Sequence, residues 1–170
     1  MWYFVVFFYV CSMCHAMNSN INCVPIKLEA TDIVQALTWP DSPDQDYDSN
    51  ARKCWLITGS SDLVLNAKRL DIEAEPTSCG YDYLELYRGS DPSPEDRLIR
   101  LCGTQPRVLA DDLINYPSGT IVSRNIPNAP AGRVDYTVSS IPYQREVLLI
   151  FHSDGEVQGK GFSIEYSIKA

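Results

Sequence analysis

The chain has 170 residues, with 22 Asp and Glu against 14 Lys and Arg, a formal net charge of −8, and 45% hydrophobic residues. This length and apolar content suit one globular domain with a real core. The acidic balance makes a poor candidate for a nucleic-acid or anionic-membrane surface, where phosphates demand a basic face, and suits cations instead.

Trp2 to Cys11 is a ten-residue apolar run followed by Cys14-His15-Ala16, with small residues where a signal peptidase reads. Residues 1–16 are therefore predicted to be a secretory signal peptide, although no Lys or Arg precedes the apolar core. The run is too short for a membrane span, which needs roughly 20 apolar residues. These residues carry no Asp, Glu, Lys or Arg, so the whole net charge belongs to residues 17–170. Cys11 and Cys14 leave with the signal, and Cys23, Cys54, Cys79 and Cys102 remain. In an oxidising compartment they form two disulfides, with three pairings open. Zinc is disfavoured because none of these four cysteines is spaced C-x2-C.

Residues 17–22 form a short polar leader. Lys27 to Trp39 has the pattern of a strand pair or a helical turn, and Pro40 to Asp46 reads as an acidic, turn-rich loop. Cys54-Trp55-Leu56-Ile57 is a short apolar run before Gly59, as in a buried strand, with Trp55 in the core. Leu63 to Glu73 is strand-like. Cys79-Gly-Tyr-Asp-Tyr-Leu-Glu-Leu-Tyr87 alternates with period two and reads as a half-buried strand. Tyr81, Tyr83, Glu85 and Tyr87 share one face, and Asp82, Leu84 and Leu86 the other. This places Glu73 and Asp82 at one end of a sheet.

Arg88 to Arg97 is a turn cluster, and Leu98 to Leu101 leads into Cys102. Within residues 111–144, Thr120 to Ser123 and Val134 to Val138 could pair as a hairpin among several prolines. Val147 to Phe151 and Phe162 to Ile168 close the chain as strands. Many short strands and no convincing helix predict an all-β sandwich.

Taken together, the stretches Trp39-Pro-Asp-Ser-Pro43 to Tyr47-Asp-Ser-Asn50, Cys54 to Ile57, Asp71 to Glu73, Cys79 to Tyr87, Cys102-Gly103, Phe151-His-Ser-Asp154, Gly159 to Phe162 and Tyr166 resemble the CUB domain, in order and in spacing. The resemblance covers Cys23 to Ile168. It implies a jelly-roll-like β-sandwich of antiparallel strands over residues 23–170, with Lys27 to Trp39 as edge strands. It also implies the disulfides Cys23–Cys54 and Cys79–Cys102, each stabilising the fold by roughly 3 to 4 kcal/mol on the chain-entropy model. Residues 111–144 depart from the family as an insertion, where only a short turn and one strand are usual.

The resemblance further implies calcium, held by Glu73, Asp82 and Asp154 with the backbone carbonyl of Glu156. Glu73 lies six residues before Cys79 where five is common, so Glu75 or Asp71 could take its place. Tyr47 is expected to hold Glu73 from behind. A free carboxylate oxygen would accept a partner lysine, with Tyr47, Glu73, Asp82, His152 and Ser153 around the contact. The implied function is a secreted, extracellular, non-catalytic module binding a protein or a glycan.

Catalysis finds little support in the residues. His152 is the one histidine after the signal, and there are no paired histidines, no spare cysteine and no G-x-S-x-G elbow. Two alternatives from other classes are a matrix protein assembling through the acidic surface or residues 111–144, and a glycan hydrolase using the rim carboxylates. The partner and the oligomeric state are not legible in the residues.

Overall fold

The computed structural model describes residues 23–75, 78–104, 107–111, 121–123, 136–139 and 145–169. The expected signal peptide, the leader and most of residues 111–144 lie outside them.

The described chain is nearly all strand, with one 3-10 turn at Pro94–Asp96. In chain order the strands are β1 Ile26–Ala30, β2 Gln35–Trp39, β3 Arg52–Gly59, β4 Leu63–Ile72, β5 Tyr83–Arg88, β6 Arg97–Thr104, β7 Arg107–Asp111, β8 Ile121–Ser123, β9 Tyr136–Ser139, β10 Glu146–His152 and β11 Gly161–Ile168. Hydrogen bonding runs β1-β3-β10-β5-β6-β4-β11-β2, with β7 on β6 and the β8–β9 pair on β4. One layer contains β1, β3, β10, β5 and β6, and the other contains β4, β11 and β2. They join where Asp71 and Ile72 of β4 pair with Thr104 and Gly103 of β6.

Alternation sets the inward face. On β11, Phe162, Ile164 and Tyr166 are buried, and β10 is buried on both faces, with Val147, Leu149 and Phe151 on the inward one. They meet Trp55, Ile57, Leu84, Leu86, Ile99 and Leu101 in one core between the layers. Aromatic rings run through it as edge and tilted pairs, from Trp39 to Trp55, Phe162, Phe151 and Tyr47, with centroids 4.9 to 6.1 Å apart. Such pairs add about 0.5 to 1.5 kcal/mol each beyond their burial.

Both disulfides pair as the resemblance implies, Cys23 with Cys54 and Cys79 with Cys102. The second closes the open end of the β5–β6 hairpin. β1 and β2 are the terminal strands of the hydrogen-bonded order. β8 and β9 pair antiparallel, Val122 opposite Val138.

Two expectations need correction. The strands are not all antiparallel, because β1 pairs parallel with β3. Between them the chain crosses to the other layer to form β2, so it re-enters the first layer in the same direction. The strand expected from Cys79 begins at Tyr83, and it is not half-buried. Its outer face is covered as well, with Glu85 at 5% and Tyr87 at 7% exposure. That burial is possible because Glu85 is fully partnered. It accepts hydrogen bonds from the Tyr87 hydroxyl (2.7 Å), Arg97 Nη1 (3.0 Å) and Arg100 Nε and Nη2 (2.9 and 2.7 Å).

Candidate metal-binding rim

Three acids lie just beyond strand ends. Glu73 follows β4, Asp82 precedes β5 and Asp154 follows β10. Because β10 pairs antiparallel with β5, His152 opposite Tyr83, the residues flanking this pair converge at one rim. One carboxylate oxygen from each of Glu73, Asp82 and Asp154 lies within 4.8 Å of the others. The neighbouring acids are engaged elsewhere. Asp71 accepts from Thr104 Oγ1 (2.7 Å) and the Lys160 backbone N–H (3.1 Å), and Glu75 accepts from Ser78. Of the three acids the sequence left open, Glu73 is the one that joins Asp82 and Asp154.

The cluster is held from behind. Asp82 is fully buried, and its Oδ2 accepts the Tyr47 hydroxyl at 2.5 Å while its Oδ1 accepts the Asp154 backbone N–H at 2.6 Å. The Tyr47 oxygen in turn accepts the Glu73 backbone N–H at 3.1 Å. Tyr47 thus fixes the positions of two acids at once. Asn50, at the positive φ of 54°, donates its backbone N–H to the Asp154 carbonyl at 2.6 Å. Asparagine tolerates that conformation better than most residues. Ser153 Oγ donates to the Asp48 carbonyl (2.7 Å) and accepts the Ala51 N–H (2.9 Å), tying the 48–51 loop to the end of β10.

Electrostatics at the rim are unfavourable without a cation. Burial, and then the charges of Asp82, Asp154 and Glu156, push the Glu73 carboxyl above its ordinary range. Burial also raises Asp82, against the Tyr47 and Asp154 hydrogen bonds that favour its ionised form. For Tyr47, burial and the hydrogen bond to Asp82 push the hydroxyl well above the ordinary phenol range, so it remains a donor. Glu73 Oε2 is buried with no hydrogen-bond partner. An orphaned carboxylate oxygen beside two more carboxylates fits a hard cation, which takes several oxygen ligands together.

The remaining expected residues sit around this cluster in different ways. Glu156 is exposed; its N–H donates to Asp154 Oδ1 (2.9 Å) and its carbonyl accepts from Gln158 Nε2 (2.5 Å), leaving that carbonyl one lone pair. Tyr47 and Ser153 are buried at 2% exposure each. His152 is part-buried on the outer face of β10, stacked on Tyr83 with ring centroids 4.9 Å apart. Only Glu73 and His152 of the five expected contact residues present surface; Tyr47, Asp82 and Ser153 lie behind. Sequence reasoning missed Asn50 and Ala51 as positioning residues. The signal for the first was its place at the end of the Tyr47-Asp-Ser-Asn50 segment.

The family model for the CUB domain matches residues 23–115. The chain is 40% identical over 65 residues to Tolloid-like protein 2 of Homo sapiens, covering 37% of this chain and 6% of that protein. It thus spans a small part of that relative's length. Among solved structures it is similar to the CUB1-EGF-CUB2 domains of rat MASP-1, with TM-score 0.50 and 18% identity over 84% of this chain and 42% of that one. The CUB1-EGF-CUB2 domain of human MASP-1/3 gives TM-score 0.50 and 20% identity over the same shares. At these identities the structural likeness speaks for the fold alone. CUB domains are typically extracellular protein-interaction modules without catalytic function. With the model matching more than half of its residues and the sandwich built as described, this chain belongs to the CUB domain family.

Proposed function

We propose that this CUB domain is a secreted, non-catalytic binding module whose rim holds one calcium ion on Glu73, Asp82 and Asp154. The observation that carries the reading is the convergence of three carboxylates within 4.8 Å, one of them with a buried, partnerless oxygen. A bound calcium ion would supply positive charge that offsets their mutual repulsion. The Glu156 carbonyl is the candidate backbone ligand. Of the rim groups, Glu73 and Asp154 are part-exposed and Glu156 is exposed, so they form the acidic surface offered to a partner. A cationic side chain of an extracellular protein, such as lysine, suits that surface and the net charge of −8. Residues 1–16 as a signal peptide belong to the same reading, and the amino-terminal sequence of protein collected from medium tests them.

The rim is tested by the thermal midpoint in millimolar calcium and in excess EDTA, for the parent and for Asp154→Ala. A ligand that binds only the native state raises the midpoint. Calcium is expected to raise it for the parent and not for the variant. A parent midpoint that does not move at several millimolar calcium, the range of extracellular modules, would reject the metal site.

A further inference from the structure

A second site lies on the outer face of the β2–β11–β4 layer. Thr38, Ser163 and Arg69 stand in one row across three strands, Ser163 pairing with Thr38 on one side and Arg69 on the other. Just beyond this row the register shifts, so that β4 carries one extra residue, Lys68, between the partners of Ser163 and Ile164. A bulge of this kind reverses the alternation of its strand. The burial of β4 shows the reversal: Ala67 and Leu70 are both buried, and Lys68 and Arg69 between them are both part-exposed. Two consecutive cations therefore share one face of a strongly acidic protein.

These residues line an open cleft of about 410 Å³ with Asp41 and Pro43. The Thr38 and Ser163 hydroxyl oxygens lie 3.1 Å apart. Arg69 is tethered by one long hydrogen bond, Nη1 to the Pro43 carbonyl at 3.3 Å. Its Nε and Nη2 have no acceptor among the described residues and are covered from water. Those two donors form one edge of the guanidinium, the edge that grips a carboxylate with two parallel hydrogen bonds. Unpaired buried donors on a charged group are costly, so a swing of this loosely held side chain toward an incoming acceptor is favourable. Lys68 already pairs with Glu165 at 3.2 Å, on the surface where such a pair is worth little.

We propose that this cleft binds a carboxylate-bearing sugar residue, a sialic or uronic acid. Arg69 takes the carboxylate and Lys68 adds positive charge. The hydroxyls of Thr38 and Ser163 serve as donors or acceptors to ring substituents, and Asp41 accepts from sugar hydroxyls. Asp41 and the net charge of −8 oppose a polyanion or an acidic peptide, and a singly charged, hydroxyl-rich ligand meets each polar lining side chain. No residue here belongs to the calcium rim, so the two readings stand or fall separately.

The test is a titration of amide NMR shifts on the secreted protein in calcium, with glucuronic acid and N-acetylneuraminic acid as probes. Glucose, sodium sulfate and a short glutamate peptide are the controls. Both sugar acids are expected to move the amides of Thr38, Lys68 and Ser163 while glucose does not, and Arg69→Gln to weaken binding about tenfold. Ser163→Ala gives the same decision should Arg69→Gln lose its folded spectrum, and a smaller weakening is expected there. Silent amides, an equal response to glucose, or variants that bind as the parent does would overturn the proposal. Sulfate or the peptide binding as tightly with the same footprint would also overturn it, in favour of a bare anion site or an acidic protein partner.

Discussion

Tyr47 and Asp82 are joined by a buried hydrogen bond of 2.5 Å, across 35 residues of sequence, between a phenol that stays protonated and a carboxylate with no exposed surface. The bond links the end of the acidic 40–46 loop to the start of β5. Through the Glu73 N–H on the same phenol oxygen it also links both to the end of β4. The rim is therefore organised by a side chain that offers no carboxylate of its own.

Tyr47→Phe removes the hydroxyl, orphaning a buried carboxylate oxygen and the Glu73 N–H. Leaving such groups unsatisfied costs about 1 to 3 kcal/mol each, less any relaxation. A loss of roughly 2 to 4 kcal/mol in urea unfolding is expected, together with a smaller calcium-induced rise in thermal midpoint. An unchanged urea midpoint would show that water replaces the hydroxyl.

Glu85 provides the pH dependence. Burial alone would raise its carboxyl, but the Tyr87 hydroxyl, Arg100 and Arg97 outweigh burial and hold it below the ordinary carboxylate range. A depressed folded value means that the unfolded chain takes up the proton first. The stabilisation is therefore present at neutral pH and is lost as pH falls from about 4.3 through the folded value. Glu85→Gln leaves two arginines without their counter-charge and is expected to cost roughly 3 kcal/mol at pH 7. Urea unfolding at stepped pH should show the gap to the parent narrowing on acidification; a constant gap would mean that the charge of Glu85 is not what matters.

Gly161 opens β11 at a φ of +77°, and a Cβ there would lie 1.9 Å from the Trp39 carbonyl oxygen. Neither the conformation nor the space admits a side chain without backbone movement. Gly161→Ala is expected to destabilise the fold by about 2 to 4 kcal/mol, read as a lowered thermal midpoint. A shift within the error of the scan would contradict the close approach.

Ser153→Ala tests the strap between the 48–51 loop and β10. The hydroxyl is buried and bonded to both Asp48 and Ala51, so its loss should cost about 1 to 2 kcal/mol. Asp154 follows directly, and calcium titration by calorimetry should show weaker binding with all three acids intact. Unchanged affinity would confine Ser153 to a purely structural role.

Much of the fold was legible because its causes are local. Alternation along Phe162 to Ile168 and the apolar run Val147 to Phe151 name strands whatever they pack against. The likeness to CUB domains carried the disulfide pairing and brought Glu73, Asp82 and Asp154 forward as a group. The ambiguity among Asp71, Glu73 and Glu75 could not be settled along the chain, since each is an acid near the end of one strand. In the folded chain Asp71 is bonded to Thr104 and Lys160 and Glu75 to Ser78, and Glu73 is the one of the three that lies beside Asp82 and Asp154.

The covered outer face of β5 and the pair Lys68-Arg69 show the same division. Period two in Cys79 to Tyr87 assigned Glu85 a face, but its burial depends on arginines from β6, whose approach no local pattern encodes. Likewise, the sequence marks Leu63 to Glu73 only as strand-like, and it is the bulge against β11 that sets Lys68 and Arg69 on one face. The sequence alone determined the all-β class, the strongly patterned strands such as β10 and β11, and which residue types could carry charge chemistry, because period and composition are properties of a few neighbouring residues. Which carboxylates converge, which charges are buried and which cations share a face were decided only by the tertiary structure, because pairing register joins residues that the chain keeps far apart.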